Sequence, residues 1–244
     1  MSRGRIIFVV GSLCIGGAEK QTVGLANALD ERGFETGVCY LAPRSELRAG
    51  LNARVDGRSH CLEKRSAFDI GMLRRLRRII LAQAPDVLVC VNTYPLLVAD
   101  IASRLVPLRP RLVEVLHSGV LAVGTHEWSV RLWLRSVINK RCDGVVFISE
   151  VQRRHWQREY GIRSDLGTVI RNGIDTEYFK ASMSADVRAA ERRRLGSMPS
   201  DVVVGCCAAT RAAAAACSSP RPPRSSPSSP CGGCEGVGTG HNAV

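Results

Sequence analysis

The sequence predicts an α/β fold built on a doubly wound parallel sheet, and two observations carry that prediction. Short β-branched runs recur at Ile6–Val10, Thr36–Leu41, Val87–Val91, Leu112–Leu116, Val145–Ile148 and Thr168–Ile170. Longer amphipathic stretches separate them, and apolar strands alternating with such helices fit a parallel sheet covered on both faces. Strand-helix-strand units close right-handed almost without exception, which makes the alternation a doubly wound sheet.

Each helix between the strands has identifiable edges. The first, Gly17–Arg32, puts Ala18, Val23, Leu25, Ala26 and Leu29 on or near one face and stops at Gly33, a residue suited to the left-handed conformation after a helix end. Phe68–Gln83 repeats the pattern with Met72, Leu73, Leu76, Ile79 and Ile80, and Pro85 marks its stop. Beyond Ala181 the pattern thins to a charged helix, Asp186–Leu195, then Pro199 and a strand-like run, Val202-Val-Val-Gly205. These features divide the chain into a sheet domain over 1–175, a linker with the start of a second domain over 176–204, and a low-complexity tail over 205–244.

The tail is expected to be disordered. Between Val204 and Val237 there is no Val, Ile, Leu, Met, Phe, Tyr or Trp, so the stretch buries too little apolar area to offset its ordering entropy. Two readings account for its Ala, Ser, Pro, Arg, Cys and Gly content: a natural flexible tail, or a GC-rich coding sequence read out of frame. The abrupt onset favours the second.

Composition narrows the function classes. With 45% hydrophobic residues the chain can build a sizeable core. Its 34 Lys plus Arg against 22 Asp plus Glu give a formal +12, which suits nucleic acid, an anionic membrane or phosphorylated ligands. Scattered arginines and 5% aromatics argue against nucleic acid, which needs stacking platforms beside the charge. The apolar run after the basic start is too short for a signal segment, and no stretch is long enough to span a bilayer, so the expected compartment is the cytoplasm. Of ten cysteines, Cys14, Cys39, Cys61, Cys90 and Cys142 stand singly and are expected to be reduced.

Two places invite chemistry. The first strand ends in Gly11-Ser-Leu-Cys-Ile-Gly-Gly-Ala-Glu-Lys20, neither a G-x-G-x-x-G fingerprint nor a P-loop. Gly16 and Gly17 would let the backbone approach a phosphate at a helix start, and a tight turn that needs glycine explains them equally. His117 closes a predicted strand, where open α/β sheets bind ligands, although a single His is as often structural. His60, His126, His155 and His241 have no metal-like spacing, and Cys231-Gly-Gly-Cys234 lies alone in the tail, so no metal is expected. No nucleophile elbow, kinase set or zinc-protease motif is present.

An ordered series of segments resembles the amino-terminal domain of family-4 glycosyltransferases. It comprises Val9-Val-Gly-Ser-Leu-Cys-Ile-Gly-Gly-Ala-Glu19, Leu25-Ala-Asn-Ala-Leu29 with Arg32-Gly33, Pro85-Asp-Val87, His117, Asp143-Gly-Val-Val-Phe-Ile-Ser-Glu150 and Val169-Ile-Arg-Asn-Gly-Ile-Asp175, then Phe179. The resemblance implies the amino-terminal, acceptor-side half of a GT-B fold, in which two Rossmann-like domains face a cleft. It implies retaining transfer of a sugar from a nucleoside diphosphate sugar to a hydroxyl, with no cofactor and no obligatory divalent metal.

By the same resemblance Gly16 and Gly17 face the donor phosphates, His117 lies near the transferred sugar, and Glu19 and Lys20 share the loop with acceptor or donor. Asn172, Gly173 and Asp175 match the interdomain segment. Ser149 and Glu150 open a helix, where Ser as N-cap is an equal explanation.

The departures concern the donor half. The family's phosphate-contacting Arg and Lys pair and its E-x7-E stretch are not recognisable; Arg211 is near the place of a basic residue, but no Lys follows. The expectation is that this chain alone does not turn over a sugar nucleotide. The alternative is a non-catalytic module that binds an acceptor or lipid-linked glycan. Peripheral contact with the inner face of the plasma membrane is a further expectation, suggested by Arg74, Arg75, Arg77 and Arg78 among apolar residues and by Trp128 and Trp133. An ordinary sheet-covering helix explains that pattern as well.

Overall fold

The computed structural model describes residues 3–66, 69–117, 127–174, 176, 184–198 and 200–203, apart from the side chains of 127–130 and 133. The chain divides into two units, Met1–Gly173 and Ile174–Val244. The tail from 205 onward, Phe68, Asp175 and the side chains of Trp128 and Trp133 lie outside what is described.

The first unit is a seven-stranded parallel sheet. In chain order its elements are β1 (Arg5–Val10), α1 (Gly17–Glu31), β2 (Glu35–Tyr40), α2 (Ala53–Gly57), β3 (His60–Cys61), α3 (Ile70–Gln83), β4 (Val87–Val91), α4 (Thr93–Ser103), β5 (Arg111–Leu116), α5 (Glu127–Arg141), β6 (Gly144–Phe147), α6 (Glu150–Tyr160) and β7 (Gly167–Val169). The strands run in the order β3-β2-β1-β4-β5-β6-β7, and each pairs with its neighbours in parallel. The chain winds outward from β1 to one edge and then from β4 to the other, so the reversal point lies between β1 and β4.

Alternation along the strands assigns the two faces. Ile7, Val9, Leu88, Cys90, Leu112, Leu116, Val145 and Phe147 point to one side and pack against Met72, Leu76 and Ile80 of α3, Leu96 and Ala99 of α4, Leu134 and Ile138 of α5, and Trp156 of α6. Phe8, Val10, Val38 and Tyr40 point to the other and meet Val23 and Ala26 of α1 and Val55 of α2. Helices therefore lie on both faces, but among the described residues the cover of the second face stops with α1 and α2. Val89, Val113, Val115 and Val146, on that face of β4, β5 and β6, line an open cavity instead. Leu25, expected with the buried stripe of α1, is 48% exposed and lines the same cavity.

Local chemistry sets the element boundaries. Helix α3 begins at Ile70, later than Phe68, because the Asp69 carboxylate accepts from the Met72 amide at 3.0 Å and caps the helix there. It ends on Ala84 in the left-handed region before Pro85. Gly33 has φ of 89°, as a glycine after α1 predicts. Buried Asp30 on α1 joins Arg54 and Arg58 at 2.8 and 3.1 Å and so ties α2 to α1.

The second unit contains α7 (Ala185–Arg194), capped by Ser184, whose hydroxyl accepts from the Val187 amide at 3.3 Å. No residue of this helix is buried. Val202 and Val203, expected as a strand, have no regular structure, and Val202 is 89% exposed.

Candidate functional site

All strands being parallel, their carboxyl ends gather at one edge, and the segments that leave β1, β4, β5 and β7 there come together. His117 follows β5. Its backbone N–H donates to Asn92 Oδ1 at 3.1 Å, and the Asn92 N–H donates to Val115 O at 2.9 Å. Asn92 has φ of 66° and ψ of 165°, a region essentially reserved for glycine, which costs about 1–3 kcal/mol. Beyond it, buried Gln152 joins the ends of β5 and β6: its amide donates to Leu116 O at 2.9 Å and its Oε1 accepts from Ile148 N at 2.8 Å. The His117 imidazole is half-buried, and burial holds its pKa below the ordinary value, so it is neutral at pH 7.

His117 lines a cavity of about 330 Å³. Its floor is the sheet face of β4 to β6, with Val91, Val113, Val115 and Val146, and its rim carries Gln21 and Thr22 of α1 and the segment Arg171, Asn172 and Gly173 after β7. Gln21 Nε2 donates to Gly173 O at 2.7 Å and fastens α1 to that segment. An apolar floor with a few convergent polar groups, one a neutral imidazole and one a guanidinium, is ordinary for a small-molecule site.

Of the residues singled out from sequence, His117, Asn172 and Gly173 share this cavity, while Gly16, Gly17, Glu19 and Lys20 do not line it. Gly16 is the extended N-cap of α1 and offers no side-chain oxygen, so the first-turn amides of Gly17, Ala18 and Glu19 lack a side-chain cap. Lys20 is exposed, and its amide donates to Gly16 O at 3.0 Å. The carboxylate of Glu19, at the third helical position, folds back against Gly16, as the glutamate of a capping box does. Negative charge therefore already stands beside the positive end of α1. Ser149 accepts from the Gln152 amide at 3.1 Å as the N-cap of α6, and the Arg153 and Arg154 guanidiniums beside Glu150 pull its carboxyl down to about 2.

Sequence reasoning missed Asn92, Gln21 and Gln152. Asn92 carried a signal, a polar residue directly after Val87–Val91, whereas Gln21 and Gln152 are helix residues whose roles appear only on folding. Arg171 stood inside the Val169–Asp175 series without a role. Among the described residues no group of His, Cys, Asp and Glu could hold a metal ion, and no helix is long and apolar enough to cross a membrane.

Comparison with known proteins follows the same lines. Many solved structures share the fold, among them these three. A glycosyltransferase from Rickettsia africae ESF-5 is 16% identical with a TM-score of 0.62, covering 82% of this chain and 51% of its own. HepE from Anabaena, in complex with UDP, is 21% identical with a TM-score of 0.61, covering 79% and 50%. UDP-GlcNAc 2-epimerase from Neisseria meningitidis, bound to UDP-GlcNAc, is 14% identical with a TM-score of 0.54, covering 81% and 55%.

This chain thus spans about half the length of each. Because a transferase and an epimerase share the fold, it does not by itself decide the reaction. A search of curated proteins finds no match. The family model of Glycosyltransferase Family 4 matches residues 15–178, more than half of the chain, and takes in Gly16 and Gly17 at the start of α1, His117 and the Arg171–Gly173 rim. The chain belongs to Glycosyltransferase Family 4.

Proposed function

We propose that this chain is the acceptor-side half of an enzyme that transfers a sugar, with retention, from a nucleoside diphosphate sugar to a hydroxyl of a glycan or lipid-linked acceptor. The observation that carries the reading is the convergence of His117, Arg171, Asn172, Gly173 and Gln21 on one cavity, since they come from three distant parts of the chain. UDP in the Anabaena structure and UDP-GlcNAc in the Neisseria one support a nucleotide sugar as the donor class.

The chemistry asks the protein to stabilise a departing diphosphate and to hold the sugar near the acceptor. The Arg171 guanidinium at the cavity rim offers positive potential for the first task without a divalent metal. Neutral His117 offers one ring nitrogen that accepts a hydrogen bond and one that donates, which suits a sugar hydroxyl. Lys20, and Asp175 outside the described residues, are proposed as site residues on the family resemblance alone.

Among the described residues no helix covers the sheet face that floors the cavity, which supports the view that the site is incomplete. A parallel sheet is normally covered on both faces, and the tail between Val204 and Val237 carries no large apolar residue to cover one. Purified chain with UDP-glucose or GDP-mannose and a mixed glycan acceptor is expected to release no nucleoside diphosphate above a buffer control. A robust transfer rate refutes the incompleteness.

The apolar floor also favours a second reading, a module that holds a lipid-linked glycan without catalysis. Glycan binding that persists in His117→Ala, with no transfer even when a donor half is supplied, would favour it. The proposed location is the cytoplasm, in peripheral contact with the inner face of the plasma membrane.

A further inference from the structure

Helix α3 was a candidate membrane element because four arginines alternate with apolar residues. Its apolar stripe, Met72, Leu76 and Ile80, is buried in the sheet core, with Leu73 and Ile79 packed against it. Two of the arginines are engaged: Arg75 donates to the carbonyls of Leu62 and Glu63 at 2.8 and 3.0 Å, and Arg77 to the carbonyl of Leu105 at 2.8 Å. What remains on the outside differs from what the helix alone suggests. Arg74 and Arg78 are exposed, with no ion pair among the described residues, and Leu81 lies one turn on from Arg77 with 44% exposure.

The Arg77 bond to Leu105 places this surface beside the carboxyl end of α4. There Ile101 and Leu105, one turn apart, are 36% and 52% exposed, and Leu108 in the following loop is 84% exposed. Arg104 and Arg109 flank them, and Arg111 is exposed at the start of β5. Residues 70–85 and 101–111 together contain seven arginines and no Asp or Glu. The nearby carboxylate of Asp100 is buried and held by Arg104 and Arg141 at 2.6 and 2.9 Å. Arg109 pairs with Asp143 at 3.7 Å, whereas Arg74, Arg78 and Arg111 have no ion pair among the described residues. Exposed leucines beside such arginines are the chemistry of a surface that rests at a lipid headgroup layer: the free arginines meet anionic headgroups and the leucines enter the acyl boundary. Nucleic acid is less well matched, because the patch has no exposed aromatic to stack on bases.

We infer that the outer faces of α3 and α4, with Arg74, Arg78, Leu81, Leu105 and Leu108 at their centre, form a docking surface for an anionic phospholipid membrane. Arg78, Leu81, Leu105 and Leu108 lie toward or just beyond the carboxyl ends of these helices, with Arg74 one turn back, and so toward the amino-terminal edge of the sheet. His117 and its cavity are at the opposite edge and stay open to water when the patch is on the membrane. This deepens the peripheral location proposed above, and its test needs no sugar, so its failure leaves the cavity reading untouched.

The test is flotation of the full chain with phosphatidylcholine vesicles, with and without phosphatidylglycerol, at low and high salt. The wild type is expected to float with the anionic vesicles at low salt and to stay behind with phosphatidylcholine alone. Arg74→Glu/Arg78→Glu is expected to lower the partition coefficient by about tenfold or more, each removed cation being a sizeable share of the attraction. Leu105→Ser/Leu108→Ser is expected to reduce the binding that survives added salt, which screens the charges but not the leucines. All four positions are exposed, and circular dichroism checks that each variant stays folded. Failure of the wild type to float with anionic vesicles at low salt overturns the inference. So does unchanged flotation of the folded arginine variant, or an unchanged leucine variant together with equal binding to a duplex oligonucleotide, which would mark a general polyanion surface.

Discussion

Glu114 sits in the middle of β5, fully buried, between Cys90 and Val145 on the neighbouring strands. Neither of its carboxylate oxygens has a hydrogen-bond partner among the described residues. Burial therefore pushes its pKa well above the ordinary value, and the protonated form is the one that fits. The folded state binds a proton that the unfolded state has lost, so this contribution is complete below the unfolded pKa and is lost as pH rises toward the folded one. His117 has the opposite sign: its depressed folded pKa means stability is lost as pH falls below the ordinary histidine value. Glu114→Gln is expected to gain stability relative to the wild type as pH rises from about 5 to 8, by up to roughly 1.4 kcal/mol per unit. Urea midpoints at several pH values measure this, and a difference that does not change with pH contradicts it.

Asn92 offers a second test at this scale. Asn92→Gly relieves a glycine-only conformation, whereas Asn92→Ala keeps the strain, and both lose the acceptor for the His117 amide. Asn92→Gly is expected to be the more stable of the two by about 1 kcal/mol or more. Equal unfolding midpoints would show that the backbone there is not strained.

Among the elements, the long strands were legible because unbroken runs such as Val87-Leu-Val-Cys-Val91 belong to a sheet buried on its faces. β3 was not, because it is only His60–Cys61, held by pairing with Cys39 and Tyr40 rather than by any pattern of its own. The short α2 escaped for a similar reason: its position depends on Asp30 reaching Arg54 and Arg58 across more than twenty residues of chain. Gly37 in β2 shows how tightly these pieces meet, since a Cβ there would come within 2.6 Å of the Arg58 carbonyl oxygen. That neighbour is backbone and cannot swing away. Gly37→Ala is expected to destabilise the fold by about 1–3 kcal/mol through overpacking, read from thermal or urea unfolding. A loss below a few tenths of a kcal/mol would mean that the α2–β3 turn is free to shift.

The site was partly legible in the same sense. His117, Asn172 and Gly173 could be chosen because they end strands or lie in a family series, while Gln21 reaches the cavity only because the segment after β7 returns to α1, where Gln21 donates to Gly173 O. Glu19 was read as a ligand residue, but its fold back over Gly16 is a local helix effect that the series alone does not reveal.

At the scale of the whole molecule, the uncovered floor, the half-length match to related structures and the absence of large apolar residues between Val204 and Val237 belong together. Among the described residues the sheet face over β4 to β6 has no helix on it, and half-exposed apolar surface of that kind favours association between molecules. Light scattering of the purified chain is expected to show concentration-dependent self-association that adding a donor half suppresses; a monodisperse monomer at all concentrations would contradict that.

The most direct measurement is transfer by a chimera joining residues 1–173 to the carboxyl half of the Rickettsia africae enzyme, assayed beside the chain alone and beside the His117→Ala chimera. The account predicts sugar transfer from a nucleoside diphosphate sugar by the chimera, none by the chain alone, and a loss of at least about a hundredfold in His117→Ala, as for removal of a group that stabilises a transition state. Transfer by the chain alone, or a His117→Ala chimera as active as its parent, would contradict it.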